Sequence, residues 1–271
     1  MVKIITSPSN PLVKHISLLS EKSKLRKETG TFVVEGKKEI MLALKGGYQL
    51  KSLLFNPAII TFNKLNALLG NVILETECIE VNSQVYDKLA YREGTEGVIA
   101  VMYSRENRLD QLELSVSNPL VVVAEATEKP GNIGALFRTA DAAGADAFII
   151  ANPNTDIYNP NIIRSSIGCV FTNQVATGKT PEIIDWLKQQ KIKIICATIA
   201  DDSVSCYIMD YTKPTAIVVG TEDKGLSQEW IDNADYNVII PMRGQIDSMN
   251  VSVSAAILVF EAVRQRLQGS R

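Results

Sequence analysis

The chain has 271 residues, enough for one large domain or two ordinary ones, and its 46% apolar content is that of a folded protein rather than a disordered one. A single histidine, His15, excludes a multi-histidine metal site, and no nucleophile-elbow pattern surrounds it to support a Ser-His-Asp triad. The net charge of −2 conceals an asymmetry: residues 1–51 hold ten Lys/Arg against four Asp/Glu, an excess of six, which suits either a phosphate-facing surface or a solvated helical one.

The first residues lack the long apolar core of a signal peptide, and no apolar run approaches ~20 residues, so no membrane span is expected. Cys78, Cys169, Cys196 and Cys206 are scattered without a CxxC pair and read as reduced thiols of a cytoplasmic protein. Residues 1–105 predict a small α/β or α+β domain, with helices over 11–23, 37–45 and 83–89 and strands over 31–34, 52–55 and 97–103. Residues 106–118 are polar, end in Asn118-Pro119, and read as a linker. The β-branched run 120–124 then opens a second domain over 119–271. There, strand patterns over 120–124, 147–151, 192–197, 216–220 and 238–241 alternate with helix patterns over 133–143, 181–190 and 251–267. Such alternation predicts a mostly parallel sheet with helices on both faces.

Three loops of this second domain carry the chemistry. In the first, Asn132 fits a helix N-cap, and Ile133, Leu136, Phe137 and Ala140 form the apolar stripe of the helix, with Gly144 as its C-cap. Arg138 beside that stripe is placed to reach towards the loop, or to form an i,i+3 ion pair with Asp141. In the second, Gly220 and Gly225 permit close backbone approach, yet the stretch is neither a P-loop nor a GxGxxG fingerprint. In the third, Ser248 and Asn250 are residues that cap the following helix and could equally touch a ligand.

Taken together and in this order, the segments Asn132-Ile-Gly-Ala-Leu-Phe-Arg138, Gly220-Thr-Glu222-Asp-Lys-Gly225-Leu-Ser227, and Ile240-Pro-Met-Arg-Gly244 with Ser248-Met-Asn250-Val-Ser252 resemble the three signature motifs of the SpoU (TrmH-like) RNA ribose 2′-O-methyltransferases of the SPOUT superfamily. Ser9-Asn-Pro-Leu-Val-Lys14, Arg26 and Phe32-Val-Val-Glu-Gly36 are similar to that family's substrate-binding domain. Met249 replaces a more usual leucine, a volume-conserving swap, and Lys129 stands where the family usually has Asp or Asn.

The resemblance implies a C-terminal SPOUT sheet tied into a trefoil knot that binds S-adenosylmethionine, and a homodimer formed through the last helix. It places Thr198, Val219, Gly220, Thr221, Gly225, Ile240, Met242, Met249, Asn250 and Ser252 around the cofactor, and Arg138, Asn132, Glu222, Ser248 and Asn250 at the methyl-transfer site. Lys14, Arg26, Lys37 and Lys38 would contact RNA. Arg138 is often assigned as base in such enzymes. A guanidinium, a permanent cation with a planar fork of donors, is better suited to holding phosphate and stabilising a developing alkoxide. An N-terminal domain of this size favours ribosomal over transfer RNA as substrate. The alternatives are the same chemistry on tRNA, a catalytically silent RNA-binding protein, and a dinucleotide oxidoreductase, the last lacking its glycine fingerprint.

Overall fold

The computed structural model describes residues 2–91, 96–221, 223–246 and 248–269. Two compact units emerge, Met1–Glu106 with Asp156–Thr172, and Asn107–Thr155 with Asn173–Arg271. The first begins with β1 (Lys3–Ile5), α1 (Pro11–Glu21), α2 (Ser23–Thr29), β2 (Thr31–Glu35), α3 (Lys37–Lys45), β3 (Leu50–Phe55), α4 (Phe62–Leu69), β4 (Glu77–Val81), α5 (Ser83–Leu89) and β5 (Val98–Tyr103). Asn10 caps α1 by accepting from Leu12 N–H, and Pro11 pre-sets the first helical φ. Val13, Ile16 and Leu19 then share a face and bury against Leu54, Ile79 and Ile99 of the sheet. Strand order is β1-β4-β3-β5-β2, with β1 and β3 parallel to β4 and both β2 and β3 antiparallel to β5. The single expected helix 11–23 is in fact two, because Lys22 is extended (φ −108°, ψ 106°).

The second unit contains β6 (Leu120–Glu125), α6 (Pro130–Ala143), β7 (Ala147–Ala151), and, after α7 (Pro160–Ser165) in the other unit, β8 (Val175–Gly178), α8 (Thr180–Gln189), β9 (Lys193–Ala197), β10 (Val204–Ser205), β11 (Thr215–Val219), α9 (Gln228–Asp232), β12 (Tyr236–Ile239) and α10 (Val251–Gly269). Its seven strands run β10-β12-β9-β11-β6-β7-β8, every neighbour parallel. Continuous apolar runs such as Leu120-Val-Val-Val-Ala124 are buried on both faces, as helix-covered parallel strands require. One face packs Val121, Ile149, Ile194 and Val218 against Ile183, Leu187 and Trp230, and on α10 Ala255, Leu258, Val259 and Ala262 are buried where it packs along α6. No described helix is long and apolar enough to cross a membrane.

Two expectations from sequence change here. The stretch 106–118 is not a free tether. Asn107 C=O accepts from Thr177 N–H on β8, and Leu109, Leu112 and Leu114 pack against the second unit's core, so from 107 on it is part of that fold. Residues 156–172, assigned by sequence to the second domain, pack with the first instead. Tyr158 stacks on Phe32 at 4.2 Å between ring centroids, and Phe171 and Tyr48 complete the cluster. Apolar burial against β2 offset any advantage of sequence proximity.

Arg26 is likewise corrected. It is 3% exposed, donates to Asp156 Oδ2 at 2.7 Å and Oδ1 at 3.0 Å, and spends Nη1 on the carbonyls of Leu19 and Ser20. A guanidinium so occupied is a structural ion pair and not a phosphate ligand. Burial pushes the Asp156 carboxyl up, but the hydrogen bonds from Arg26 and Ser23 and the guanidinium charge outweigh it and hold the pKa below the usual range. A depressed folded pKa makes the pair's contribution fully present above about pH 4 and lost as pH falls through the folded value. Arg26→Ala should therefore destabilise this unit by about 3–5 kcal/mol at pH 7, leaving a buried carboxylate uncompensated. Urea unfolding at pH 7 and at pH 3.5 would check it, with a smaller difference expected at the lower pH.

Candidate active site

Because all seven strands are parallel, their C-terminal ends lie along one edge, where open α/β sheets hold ligands. The order β12-β9-β11-β6 sets the chain after Ile239, Ala197, Val219 and Glu125 side by side. The register is close, with Val219 opposite both Ala197 and Ala124, and Val238 opposite Ala197. Thr198 N–H continues the ladder onto Val238 C=O at 3.1 Å. Thr198, Val219 and Gly220 therefore share this edge with the segment that starts at Ile240; the side chains of Ile240, Met242 and Met249 are half-buried.

The loop after β11 turns back on itself. Thr221 N–H donates to Gly225 C=O at 3.0 Å and Gly225 N–H to Thr221 C=O at 3.1 Å. A Cβ at Gly220 would stand 2.2 Å from the Gly225 carbonyl, so only glycine lets these two backbone segments cross. At Gly225, φ is +66° and nothing lies within 4 Å of a Cβ position, leaving open space beside the turn. Glu222 lies outside the described residues.

Asn132 departs from its expected role. Pro130 occupies the first helical turn, so α6 begins there with Lys129 at its N-cap, and Asn132 sits inside the first turn. Its Oδ1 accepts from Asn250 Nδ2 at 3.3 Å, joining the first loop to the third. Asn250 does cap α10, its Oδ1 accepting from Ser252 N–H at 2.9 Å and Ser252 Oγ at 2.6 Å. Ser252, expected at the cofactor, thus holds Asn250 in place; Ser248 is exposed just before it. Arg138 stands six residues beyond Asn132, about 9 Å of helix rise. It is exposed and makes no hydrogen bond or ion pair among the described residues, so the i,i+3 pair with Asp141 is not formed.

Between the first and second loops lies a cavity of about 290 Å³, walled by Glu125, Thr127, Lys129, Asn132, Thr221, Lys224 and Ser227 among others. Lys129, Lys224 and Glu125 were missed from sequence. Glu125 had a visible signal, an acid ending a β-branched run, and it is 4% exposed. Nearby Cys196 is pushed up to about 12, by burial first and then by the charges of Glu125 and Asp235, which removes it as a nucleophile near neutral pH. In the first unit Lys14 and Lys38 are exposed and Lys37 pairs with Glu96 at 3.4 Å.

The profile of the SpoU rRNA Methylase family matches residues 119–260, more than half the chain. The chain belongs to that family. Residues 10–100 of this SpoU-family chain match the MRM3-like substrate binding domain. Over 98% of its length it is 31% identical to the 23S rRNA (uridine(2479)-2′-O)-methyltransferase of Streptomyces viridochromogenes, covering 93% of that protein. The AdoMet-bound rRNA methyltransferase of Sinorhizobium meliloti superposes with a TM-score of 0.87 at 31% identity, over 97% of this chain and 98% of that one. The tRNA (guanosine(18)-2′-O)-methyltransferase of Escherichia coli K12 is 36% identical over 148 residues, 54% of this chain and 64% of that protein.

Proposed function

We propose that this SpoU-family chain transfers a methyl group from S-adenosylmethionine to a ribose 2′-hydroxyl of 23S-type ribosomal RNA. The observation that carries the reading is the Asn132–Asn250 hydrogen bond, which joins the first and third motifs on the sheet edge that also holds the Gly220–Gly225 turn. A relative similar along 98% of the chain is named for 23S rRNA, whereas the tRNA enzyme matches 54% of it.

The residues present fit the cofactor. Half-buried Ile240, Met242 and Met249 offer an apolar wall for an adenine, and the space beside Gly225 lets a ligand approach backbone. When bound, S-adenosylmethionine supplies a sulfonium methyl whose leaving group is a neutral thioether. The 2′-oxygen forms the new C–O bond as the S–CH3 bond breaks, and the hydroxyl proton leaves to solvent or a neighbouring base. The protein's task is alignment and charge, not activation by a Lewis acid. In this reading Asn132 and Asn250 order the site; Arg138 holds the adjacent phosphate and stabilises the alkoxide, with Glu222 and Ser248 lining the same site.

The loops 220–227 and 240–250 form the trefoil knot of the SPOUT fold. A homodimer through α10 is supported by Val253, Phe260 and Leu267, exposed apolar residues spaced by seven and so lying nearly on one face. Lys14, Lys37 and Lys38 give the first unit a phosphate-facing surface. Labelled-methyl transfer to purified 23S rRNA and to tRNA tests the substrate. Label in 23S rRNA is expected; label in tRNA alone would reject the ribosomal substrate, and label in neither would support a silent RNA-binding protein.

A further inference from the structure

We propose that Glu125 is a positioning residue for this reaction, resting on the function above: it fixes the loop 220–227 against the strand that leads into Asn132. Glu125 ends β6 and is 4% exposed, yet no lysine or arginine pairs with it among the described residues. Its carboxylate is held by three neutral donors instead. Oε2 accepts from Ser227 N–H at 2.7 Å, and Oε1 accepts from Ser227 Oγ at 2.7 Å and Thr180 Oγ1 at 3.1 Å. Thr180 opens α8 and Ser227 occupies the N-cap of α9, so the donors come from the starts of two different helices.

Ser227 shows what the contact displaces. A serine at an N-cap normally turns its hydroxyl onto the next turn's N–H groups, but here no side-chain cap bond exists and the hydroxyl is turned towards Glu125 instead. The helix gives up its own cap to tie the far end of the loop to β6. Asn152 backs the same point, donating from Nδ2 to Thr180 Oγ1 at 2.9 Å. Asn132 lies seven positions after Glu125, on the helix α6 that begins at Pro130, and Glu125 and Ser227 both wall the cavity between the two loops. One side chain therefore sets the separation between the Asn132 loop and the Gly220–Gly225 turn.

The test compares Glu125→Ala with Glu125→Gln in the full-length protein. Glutamine keeps the pattern, since its Oε1 accepts from Ser227 N–H while its amide hydrogens meet the two hydroxyl oxygens, which can accept as well as donate. Turnover per folded molecule should fall about 10²-fold in E125A, as for a displacement of about 1 Å at a reacting centre, and E125Q should recover most of it. Amide exchange in peptides covering 220–227 should quicken in E125A and not in E125Q. If E125A fails to fold, Thr180→Val, which removes one of the three donors, should show a smaller fall with the same loop signature. E125A with unchanged turnover and exchange, E125Q as impaired as E125A, or, where E125A does not fold, a T180V single variant with unchanged turnover and exchange would each overturn the proposal. A wild-type chain that binds no S-adenosylmethionine would instead overturn the underlying function and this proposal with it; an active wild type beside an unchanged E125A overturns this proposal alone.

Discussion

Replacing Arg138 by alanine is expected to lower methyl transfer by about 10²–10³-fold while leaving the S-adenosylmethionine Kd within about twofold, the pattern for loss of a group that acts on developing charge. Arg138 is exposed on α6 and bonds to nothing among the described residues, so its removal should change stability by no more than about 0.5 kcal/mol. A large kinetic loss without a thermal shift would thus isolate the chemical role. Arg138→Lys should fail nearly as completely, because a point charge cannot reproduce the planar fork that grips a phosphate. Isothermal titration with the cofactor, beside single-turnover transfer to RNA, separates the two terms. A loss confined to cofactor affinity would remove Arg138 from the reacting centre.

Gly220→Ala should have the largest effect on the cofactor. The added methyl would stand 2.2 Å from Gly225 C and O and 2.5 Å from Leu226 N, and these are backbone atoms that cannot swing away. Relieving that overlap requires opening the Thr221–Gly225 turn, at about 3 kcal/mol of stability or more. Cofactor affinity should drop by about 100-fold, since that cost falls on the folded arrangement that binds. Gly131→Ala is the control. It adds the same methyl in the first turn of α6, where nothing lies within 4 Å, and should leave both stability and affinity nearly unchanged. Differential scanning calorimetry and cofactor titration of the two variants give the comparison.

The catalytic unit was legible because its strands are buried on both faces and so read as unbroken β-branched runs; the strand over 147–151 appears with the same ends. Short or half-exposed elements were not. The strands Val175–Gly178 and Val204–Ser205 carry too few residues for a period to show. Asn132 suits a cap by residue type, but Pro130 starts the helix earlier and frees the side chain for Asn250. Arg26 looked like a phosphate ligand because sequence shows charge and not burial, and Asp156 lies 130 residues away. Glu125 escaped notice for the converse reason. Its three partners come from Thr180 and Ser227, neither near it in sequence, so only the fold assembles the network.

This chain places a methyl group on a ribose oxygen of RNA. A 2′-O-methyl blocks the neighbouring-group attack that breaks RNA in alkali, so the modified position leaves an alkali-resistant dinucleotide. Incubating the purified protein with labelled S-adenosylmethionine and 23S rRNA, followed by alkaline hydrolysis, reads this directly. Label recovered in an alkali-resistant dinucleotide is the expected result. Label confined to mononucleotides would place the methyl on a base and rule out ribose methylation.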